Sequence, residues 1–188
     1  MKTPILGIVI PTKNESDNIN TLLDSLLPQV PYNATVIISD NSDDDTIRKV
    51  ISYRDDRIKI INGETPASAR NKGAKELESD YILFLDANME LPKNLIRKSI
   101  SSIRKNDLDL LTCKVGTKHK FRLIYFIKNL MMKLSRLSKP FVMDGYFLIR
   151  RETLELLGGF EDNFNCEGLS KKINPKKFKV LNKKVYKK

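Results

Sequence analysis

The sequence contains few of the residues that mark disulfide-stabilised, zinc-binding or membrane-spanning proteins. Its 188 residues include two cysteines and no tryptophan. Cys113 and Cys166 form no Cys-x-x-Cys pair, so neither a disulfide framework nor a structural zinc site is predicted. No run of about 18 apolar residues occurs, which excludes a membrane-spanning helix. Residues 5–10 are too short for the apolar region of a signal peptide. The sequence therefore predicts one intracellular domain.

Acidic residues are absent from two long segments. Residues 114–143 and residues 171–188 contain no Asp or Glu, and together they carry 17 Lys and Arg side chains. Because the net charge of the whole chain is +11, the remainder is net acidic at −6. A protein that is basic throughout suggests nucleic acid as a partner, whereas basic patches beside an acidic body favour an anionic membrane or a polyanionic ligand. Residues 174–188, the Lys-rich tail, also fit a solvated and frayed terminus.

Apolar, β-branched runs alternate with amphipathic helical patterns along the sequence. The three longest runs, which predict strands buried on both faces, are residues 5–11, 35–39 and 81–85. Shorter strands are predicted at 58–61 and 108–113, and helices at 17–27, 44–52, 67–78 and from Pro92 to about Lys105. This alternation predicts an α/β fold, a single domain with a mostly parallel central sheet flanked by helices.

Polar side chains follow each of the three main predicted strands. They occupy residues 11–15, 40–42 and 86–88, and each group includes a carboxylate. Turn chemistry explains any one of these groups, but the ligands of open α/β sheets bind outside the carboxyl ends of the strands. The three groups together therefore predict a ligand site at that edge of the sheet.

Glycine-rich phosphate loops are missing from the sequence. Neither Gly-x-Gly-x-x-Gly after the first strand nor Gly-x-x-x-x-Gly-Lys-Ser/Thr occurs, which disfavours dinucleotide oxidoreductases, P-loop NTPases and nucleotidyltransferases. Asp86 and Asn88 offer another way to hold phosphate, because two oxygen ligands at a strand end can bind Mg²⁺ or Mn²⁺. Such an ion would neutralise a diphosphate leaving group.

Six short segments carry a family resemblance. They are IVIPTKNE (8–15), DNS (40–42), ARNKG (69–73) and YILFLDAN (81–88), followed by GYFLIRRE (145–152) and LGGFED (157–162). In this order and spacing they resemble the motifs of family-two glycosyltransferases, the inverting, nucleotide-sugar-dependent enzymes with the GT-A, Rossmann-like fold. The resemblance covers about residues 5–173. It implies a nucleotide-sugar-binding half at 1–113 and an acceptor-side half at 114–173, before the Lys-rich tail.

The resemblance also implies roles for individual residues. Asp86 and Asn88 stand at the metal-binding Asp-x-Asp position of the family, where Asp86 would also contribute to nucleotide binding. Arg70 would approach the base or the phosphates, since its planar fork suits oxyanions. Asp40 would accept a hydrogen bond from the base. The remaining nucleoside contacts would come from Pro11, Thr12, Asn14, Glu15 and Ser42, with Glu15 near the ribose.

Two departures from the family pattern concern the metal and the catalytic base. Asn88 replaces the usual Asp and contributes no charge, so metal affinity should fall. The transfer needs a carboxylate that takes the proton of the acceptor hydroxyl, and at the usual Glu-Asp pair this chain has Glu167 followed by Gly168. Glu167 is the candidate base, with Asp144 or Asp162 as substitutes. The alternative is a degenerate module that binds a nucleotide sugar or a polyanion without catalysis.

A basic amphipathic helix is predicted at about residues 120–138. Its apolar stripe consists of Leu123, Ile127, Leu130, Leu134 and Leu137. An ordinary core helix with a solvated basic face explains the pattern, but the lack of acidic residues favours a helix that lies in a membrane interface. The segment 121–137 and the Lys-rich tail together predict peripheral association with an anionic membrane.

The function predicted from the sequence is sugar transfer by a cytoplasmic enzyme, peripheral at the cytoplasmic face of the membrane. It would move a sugar from a nucleoside-diphosphate sugar to a hydroxyl acceptor, lipid-linked or part of a protein glycan, with inversion and with the help of Mg²⁺ or Mn²⁺. Nucleic acid is disfavoured as a partner because no nucleic-acid-binding motif accompanies the basic segments. A homo-oligomer is compatible with the sequence.

Overall fold

The structure, a computed structural model, describes residues 5–117, 122–161 and 166–188. The strands are β1 (Leu6–Thr12), β2 (Thr35–Asp40), β3 (Ile58–Asn62), β4 (Tyr81–Leu85), β5 (Met89–Glu90), β6 (Leu110–Thr117), β7 (Tyr146–Arg150) and β8 (Phe178–Lys187). The α-helices are α1 (Ile19–Leu26), α2 (Thr46–Ser52), α3 (Pro66–Lys75), α4 (Leu95–Lys105), α5 (Arg122–Leu134), α6 (Arg151–Leu156) and α7 (Cys166–Ser170). Turns of 3-10 helix lie at Leu27–Gln29, Ser135–Leu137 and Pro175–Lys177.

The strands form one sheet in the order β3-β2-β1-β4-β7-β6-β8-β5. β1 pairs in parallel with β2 and β4, β2 with β3, and β6 with β8. β7 runs antiparallel to both β4 and β6, and β5 runs antiparallel to β8. Parallel pairs are in the majority, so the predicted α/β class with a mostly parallel sheet is confirmed.

The centre of the sheet is buried on both faces, as the continuous apolar runs predict. Every residue of β4 is buried, and β1 is buried from Leu6 to Ile10. Helix α3 approaches β1 so closely that a Cβ atom added to Gly73 would lie 2.5 Å from Val9 Cγ1. Tight packing around β1 and β4 fixes the positions of the polar residues that follow these two strands.

Helix α4 begins later than the sequence predicts. Pro92 favours the first turn of a helix, but Asn94 adopts the left-handed backbone conformation (φ 64°), which an α-helix does not accommodate. The backbone N–H of Leu95, the first helical residue, donates to Gln29 Oε1 at 2.8 Å. The start of α4 is therefore set by a side chain distant in sequence, a contact that the local pattern does not reveal.

The Lys-rich tail forms a strand of the sheet. β8 pairs in parallel with β6, and the buried side chains of Phe178 and Val185 anchor it. Asn182 and Lys184 are exposed between them. The interpretation of this segment as a frayed terminus is wrong, because a few apolar side chains among the lysines suffice to seat the strand beside β6.

Helix α5 bears out the predicted helix, but its apolar stripe faces solvent. Leu123 is 69% exposed and Leu134 is 54% exposed, whereas Met132 is buried. The Asn129 amide holds the helix against β6, since its Nδ2 donates to Val115 O at 2.6 Å and its Oδ1 accepts from Val115 N at 2.9 Å. The core-helix interpretation is therefore wrong for α5. Residue 121, the first of the predicted segment, lies outside the described residues.

Within residues 5–117, 122–161 and 166–188, none of the helices combines the length and the apolar character that crossing a membrane requires.

Candidate functional site

The sheet has a topological switch point between β1 and β4. From β1 the chain moves outward to β2 and β3 on one side, and then returns to place β4 on the other side of β1. A crevice forms outside the carboxyl ends of the strands at such a point. Thr12 and Asp40 are register partners at the ends of β1 and β2, and Asp86 follows β4. Pro11, which pairs with Ser39, precedes Thr12 in β1.

A hydrogen-bond network joins the loops that follow β1 and β2. The hydroxyls of Thr12 and Ser42 donate to Asp40 Oδ1 at 2.5 Å and 2.6 Å, and Ser42 N donates to Asp40 Oδ2 at 3.0 Å. Asn14 N donates to Ser42 Oγ at 2.8 Å, and Asn14 adopts a left-handed backbone (φ 54°). Four of the predicted nucleoside contacts thus form one connected wall. Asp40 Oδ2 keeps capacity to accept a further hydrogen bond.

A second pair of contacts, not singled out in the sequence, supports the same wall. Glu15 N donates to Thr46 Oγ1 at 2.9 Å, and Ser16 N donates to Asp44 Oδ2 at 3.1 Å. The Thr46 hydroxyl donates to Asp44 and lowers the pKa of that carboxyl to about 2, with burial a smaller opposing cause. The spacing of Asp44 two residues before Thr46, at the start of α2, is the sequence signal of this turn. The Glu15 carboxylate itself accepts from Asn18 Nδ2 at 2.8 Å.

An ion pair between α3 and the end of β4 lies beside this wall. Arg70 Nη2 donates to Asp86 Oδ1 at 3.1 Å, with 8% and 22% of the two side chains exposed. Burial raises the pKa of the Asp86 carboxyl; Arg70 offsets part of that effect, while the charge of Asp144 adds to it. Asp86 N also donates to Gly145 O at 3.2 Å, which places the segment before β7 next to Asp86. The structure thus brings Arg70, Asp86 and Asp144 together.

Helix α3 also positions the segment that begins at Leu157. Asn71 Nδ2 donates to Phe160 O at 2.7 Å, and Asn71 Oδ1 accepts from Phe160 N at 2.9 Å. Gly159 has φ +79°, and a Cβ atom there would lie 2.6 Å from Asn71 Oδ1. The Arg70 guanidinium carbon lies 5.7 Å from the centre of the Phe160 ring. One turn of helix therefore connects two sequence motifs that stand far apart, a role of Asn71 that the sequence alone did not reveal.

The residues at the end of β4 fit a divalent cation. Asn88 Oδ1 and Asp144 Oδ1 are buried and have no hydrogen-bond partner in the described structure. Over that same part of the chain, no three His, Cys, Asp or Glu side chains gather into a metal centre. A cation held by Asp86 and Asn88 would therefore take its other ligands from water and substrate phosphates. Mg²⁺ usually takes one or two ligands from the protein and the others from water and substrate phosphates, and both side chains offer hard oxygen donors.

The candidate bases occupy different surroundings. Glu167 is 41% exposed and pairs with Lys171 at 2.6 Å, one turn along α7. The preceding residue, Cys166, is buried, and burial raises the pKa of its thiol well above the ordinary value, against the field of Arg70. Asp144 lies beside Cys166, Arg70 and Asp86. Asp144 thus joins the cluster at the crevice, Glu167 is tied to a lysine, and Asp162 lies outside the described residues.

The chain is similar to known proteins in its sequence. The profile of "Glycosyl transferase family 2" matches residues 7–187. The Escherichia coli protein WfgD, named UDP-Glc:alpha-D-GlcNAc-diphosphoundecaprenol beta-1,3-glucosyltransferase, is 30% identical over 111 residues, which cover 57% of this chain and 44% of WfgD. This chain therefore spans less than half the length of that relative.

Solved structures with the same fold share little sequence identity with the chain. The structure of S. aureus TarS 1–349 in complex with UDP-GlcNAc superposes with a TM-score of 0.72 at 20% identity, covering 97% of this chain and 58% of that one. The mannosyltransferase PcManGT from Pyrobaculum calidifontis, in complex with GDP-Man and Mn²⁺, gives a TM-score of 0.78 at 18% identity, covering 100% and 57%. At these identities the likeness establishes the fold, and the fold is GT-A.

Proposed function

Because the chain belongs to glycosyl transferase family 2, we propose that it transfers a sugar from a nucleoside-diphosphate sugar to an acceptor hydroxyl, with inversion at the anomeric carbon. The observation that carries the proposal is the position of Asp86. It stands at the carboxyl end of β4, at the switch point beside β1, and it is paired with the buried Arg70. A diphosphate at this crevice would meet both a guanidinium and two oxygen donors for a cation.

The donor would lie across the ends of β1, β2 and β4. Pro11, Thr12, Asn14, Asp40 and Ser42 would form the nucleoside wall, whose internal hydrogen bonds exist before the ligand arrives. Glu15 would lie near the ribose, and Arg70 would reach the base or the phosphates. The complexes of TarS with UDP-GlcNAc and of PcManGT with GDP-Man support donors of this class.

The chemistry exchanges one bond at the anomeric carbon for another. The acceptor oxygen attacks that carbon from the face opposite the leaving group, the bond to the diphosphate oxygen breaks, and the nucleoside diphosphate departs with the electron pair. A carboxylate takes the hydroxyl proton. Asp86 and Asn88 would hold Mg²⁺ or Mn²⁺, which supplies charge neutralisation for the departing diphosphate.

A thermal-shift experiment tests donor binding. UDP, GDP and ADP are offered with and without Mn²⁺, and one of them should stabilise the chain only when the metal is present. Asp86→Asn should abolish that stabilisation, whereas Asp80→Asn, an exposed position before the start of the same strand, should leave it intact. Equal stabilisation of both variants would contradict the proposal.

The identity of the base is tested by slow hydrolysis of the bound donor, with water in place of the acceptor. We favour Asp144 over Glu167, because Asp144 lies with Arg70 and Asp86 whereas Glu167 is paired with Lys171. Asp144→Asn should reduce the hydrolysis rate by about 10²–10⁴-fold without weakening nucleotide binding to a similar degree. If Glu167→Gln alone has this effect, the assignment to Glu167 is the correct one.

A second candidate function is a binding module without catalysis. It is favoured by the two departures from the family pattern, namely Asn88 at the second metal position and Gly168 after Glu167, where the family has a second acid. Such a module would bind the nucleotide sugar with no hydrolysis in any variant. Single-turnover hydrolysis above the buffer rate would exclude it.

We also propose that the exposed face of α5 contacts an anionic membrane and so brings a lipid-linked acceptor to the crevice. Leu123, Phe126 and Leu137 are 69%, 65% and 84% exposed, and no acidic residue accompanies them from residue 114 to 143. Apolar side chains beside basic ones suit the boundary between lipid headgroups and acyl chains. The diphosphoundecaprenol in the name of WfgD supports an acceptor of this kind.

Co-sedimentation with vesicles that contain phosphatidylglycerol tests this contact. Replacing Leu123 and Phe126 by Ser should greatly reduce the bound fraction. Leu156→Ser, at a leucine of α6 that is 80% exposed, is the matched control and should leave binding unchanged. Failure of the unmodified chain to bind such vesicles at low salt would contradict the proposal.

A further inference from the structure

A cationic groove lies between α4 and β8. Its volume is about 580 Å³, and its lining includes none of the residues of the crevice at the ends of β1, β2 and β4. The positively charged residues that line it are Arg97, Lys98, Lys105 and Lys179, accompanied by Ser101 and Ser102. No carboxylate lines the groove, and among the described residues none of these four cations takes part in an ion pair.

Lys98 of α4 lines the groove and interacts with Lys183 of β8, and this interaction lowers the pKa of Lys98. Like charges that lie close together repel each other, and an anion between them replaces repulsion by attraction. With four cations and no carboxylate along its lining, the groove is therefore suited to an anion.

The Ser102 hydroxyl adds a donor to the groove. Its Oγ atom is buried and lacks a hydrogen-bond partner within the described ranges, although Ser102 lines the groove. A buried hydroxyl without a partner costs free energy that an acceptor atom would recover. A rotation of the Ser102 side chain toward the groove would let an oxyanion supply this acceptor, since its several oxygen atoms can each accept a different donor.

We propose that the cationic groove binds a phosphate group, carried either by a lipid headgroup or by a soluble phosphate. Phosphate fits because its tetrahedral oxygen atoms and its one or two negative charges can meet several converging cations at once. The site is separate from the donor crevice. It lies between α4 and β8, and the binding of phosphate there does not depend on sugar transfer.

Titration of the 15N-labelled full chain with inorganic phosphate, at constant ionic strength and without divalent metal, tests the proposal. The backbone amide signals of Lys98, Ser102 and Lys183 should shift and saturate. The variant K98Q/K183Q should raise the dissociation constant for phosphate at least tenfold. The control K59Q/K75Q removes the same charge at exposed positions on β3 and α3 and should leave it unchanged. Because Lys98 and Lys183 repel each other, K98Q/K183Q should melt at no lower temperature than the unmodified chain.

Vesicle binding distinguishes the two sources of phosphate. If K98Q/K183Q lowers binding to phosphatidylglycerol vesicles more than K59Q/K75Q does, the groove accepts a lipid headgroup. If vesicle binding is the same for both variants while inorganic phosphate still saturates the groove, the ligand is a soluble phosphate. Shifts confined to Arg70 and the crevice, or phosphate binding that K98Q/K183Q does not weaken, would overturn the proposal. A failure of Asp86 to bind nucleotide and metal would leave these readouts unaffected.

Discussion

The two halves of the sheet differ in how they are built. From β3 to β4 the strands are parallel, their ends carry hydrogen-bonded polar loops, and α3 packs directly onto β1. From β7 to β5 antiparallel pairs appear, the Lys-rich strand β8 joins the sheet, and α5 exposes its apolar side chains. On the proposed function, the parallel half would be the donor half, whose polar loops are hydrogen-bonded to each other, and the other half would be the acceptor half, which exposes apolar and basic surfaces.

The largest effect is expected at the buried ion pair beside the end of β4. Arg70→Ala removes the buried partner of Asp86 and leaves the carboxyl groups of Asp86 and Asp144 facing each other. Loss of one partner of a buried ion pair costs about 3–5 kcal/mol of unfolding free energy, which urea denaturation measures. Arg48→Ala, at a side chain that is 81% exposed, is the control and should cost less than 1 kcal/mol. Equal losses for the two variants would show that the buried pair does not stabilise the fold.

A smaller loss is expected when the two hydrogen bonds between Asn71 and Phe160 are removed. Asn71→Ala removes the donor to Phe160 O and the acceptor for Phe160 N. At about 1 kcal/mol for each hydrogen bond, the free energy of unfolding should fall by about 2 kcal/mol, measured by urea denaturation. The rate of transfer to an acceptor should fall more than nucleotide affinity does, because these two hydrogen bonds position the segment that begins at Leu157. The exposed Asn33→Ala is the control, and a variant that loses only nucleotide affinity would refute this role.

Within the donor half, the hydrogen-bond network around Asp40 can be weakened without a change in side-chain volume. Thr12→Val keeps the volume of the buried side chain but removes its hydrogen bond to Asp40. We expect a loss of about 1 kcal/mol in unfolding free energy and weaker nucleotide binding in a calorimetric titration. Thr35→Val, at the opposite end of β2, should change neither quantity. Unchanged nucleotide affinity in Thr12→Val would show that the hydrogen-bond network does not contribute to nucleotide binding.

The smallest effect is expected from the Asp44 carboxyl group, whose contribution to stability depends on pH. Its pKa is lowered from 3.8 to about 2 by hydrogen bonds, those from Thr46 first. A carboxyl group with a lowered pKa in the folded state stabilises the fold above pH 3.8 and loses that contribution as the pH falls toward 2. Asp44→Asn should therefore melt at a lower temperature than the unmodified chain at pH 5, and the difference should shrink at pH 2. A constant difference across this range would contradict the assignment.

Much of the donor half follows from the sequence, because its signals are local. Continuous apolar runs mark β1, β2 and β4, and the ends of these runs locate Thr12, Asp40 and Asp86 correctly at one edge of the sheet. In a parallel sheet with buried strands, this pattern leaves few alternatives.

The acceptor half depends on contacts that no local pattern encodes. The seating of β8 beside β6, the clamp from Asn71 to Phe160, and the position of Cys166 beside Asp144 each join residues distant in sequence. The stripe of α5 predicted a helix correctly, but periodicity alone left open whether the stripe faces the core, and the hydrogen bonds between Asn129 and Val115 decide that it does not. The roles of all the site residues toward ligands, from Pro11 to Glu167, stay predictions.

The central claim is that the crevice at the ends of β1, β2 and β4 holds a diphosphate through a divalent cation at Asp86. Crystals grown with UDP or GDP and Mn²⁺, measured at the manganese absorption edge, test it directly. We predict one anomalous peak at about 2.0–2.3 Å from an Asp86 carboxylate oxygen, next to the diphosphate and within reach of Arg70. A crevice that stays empty while nucleotide and manganese are found elsewhere on the molecule would contradict the account.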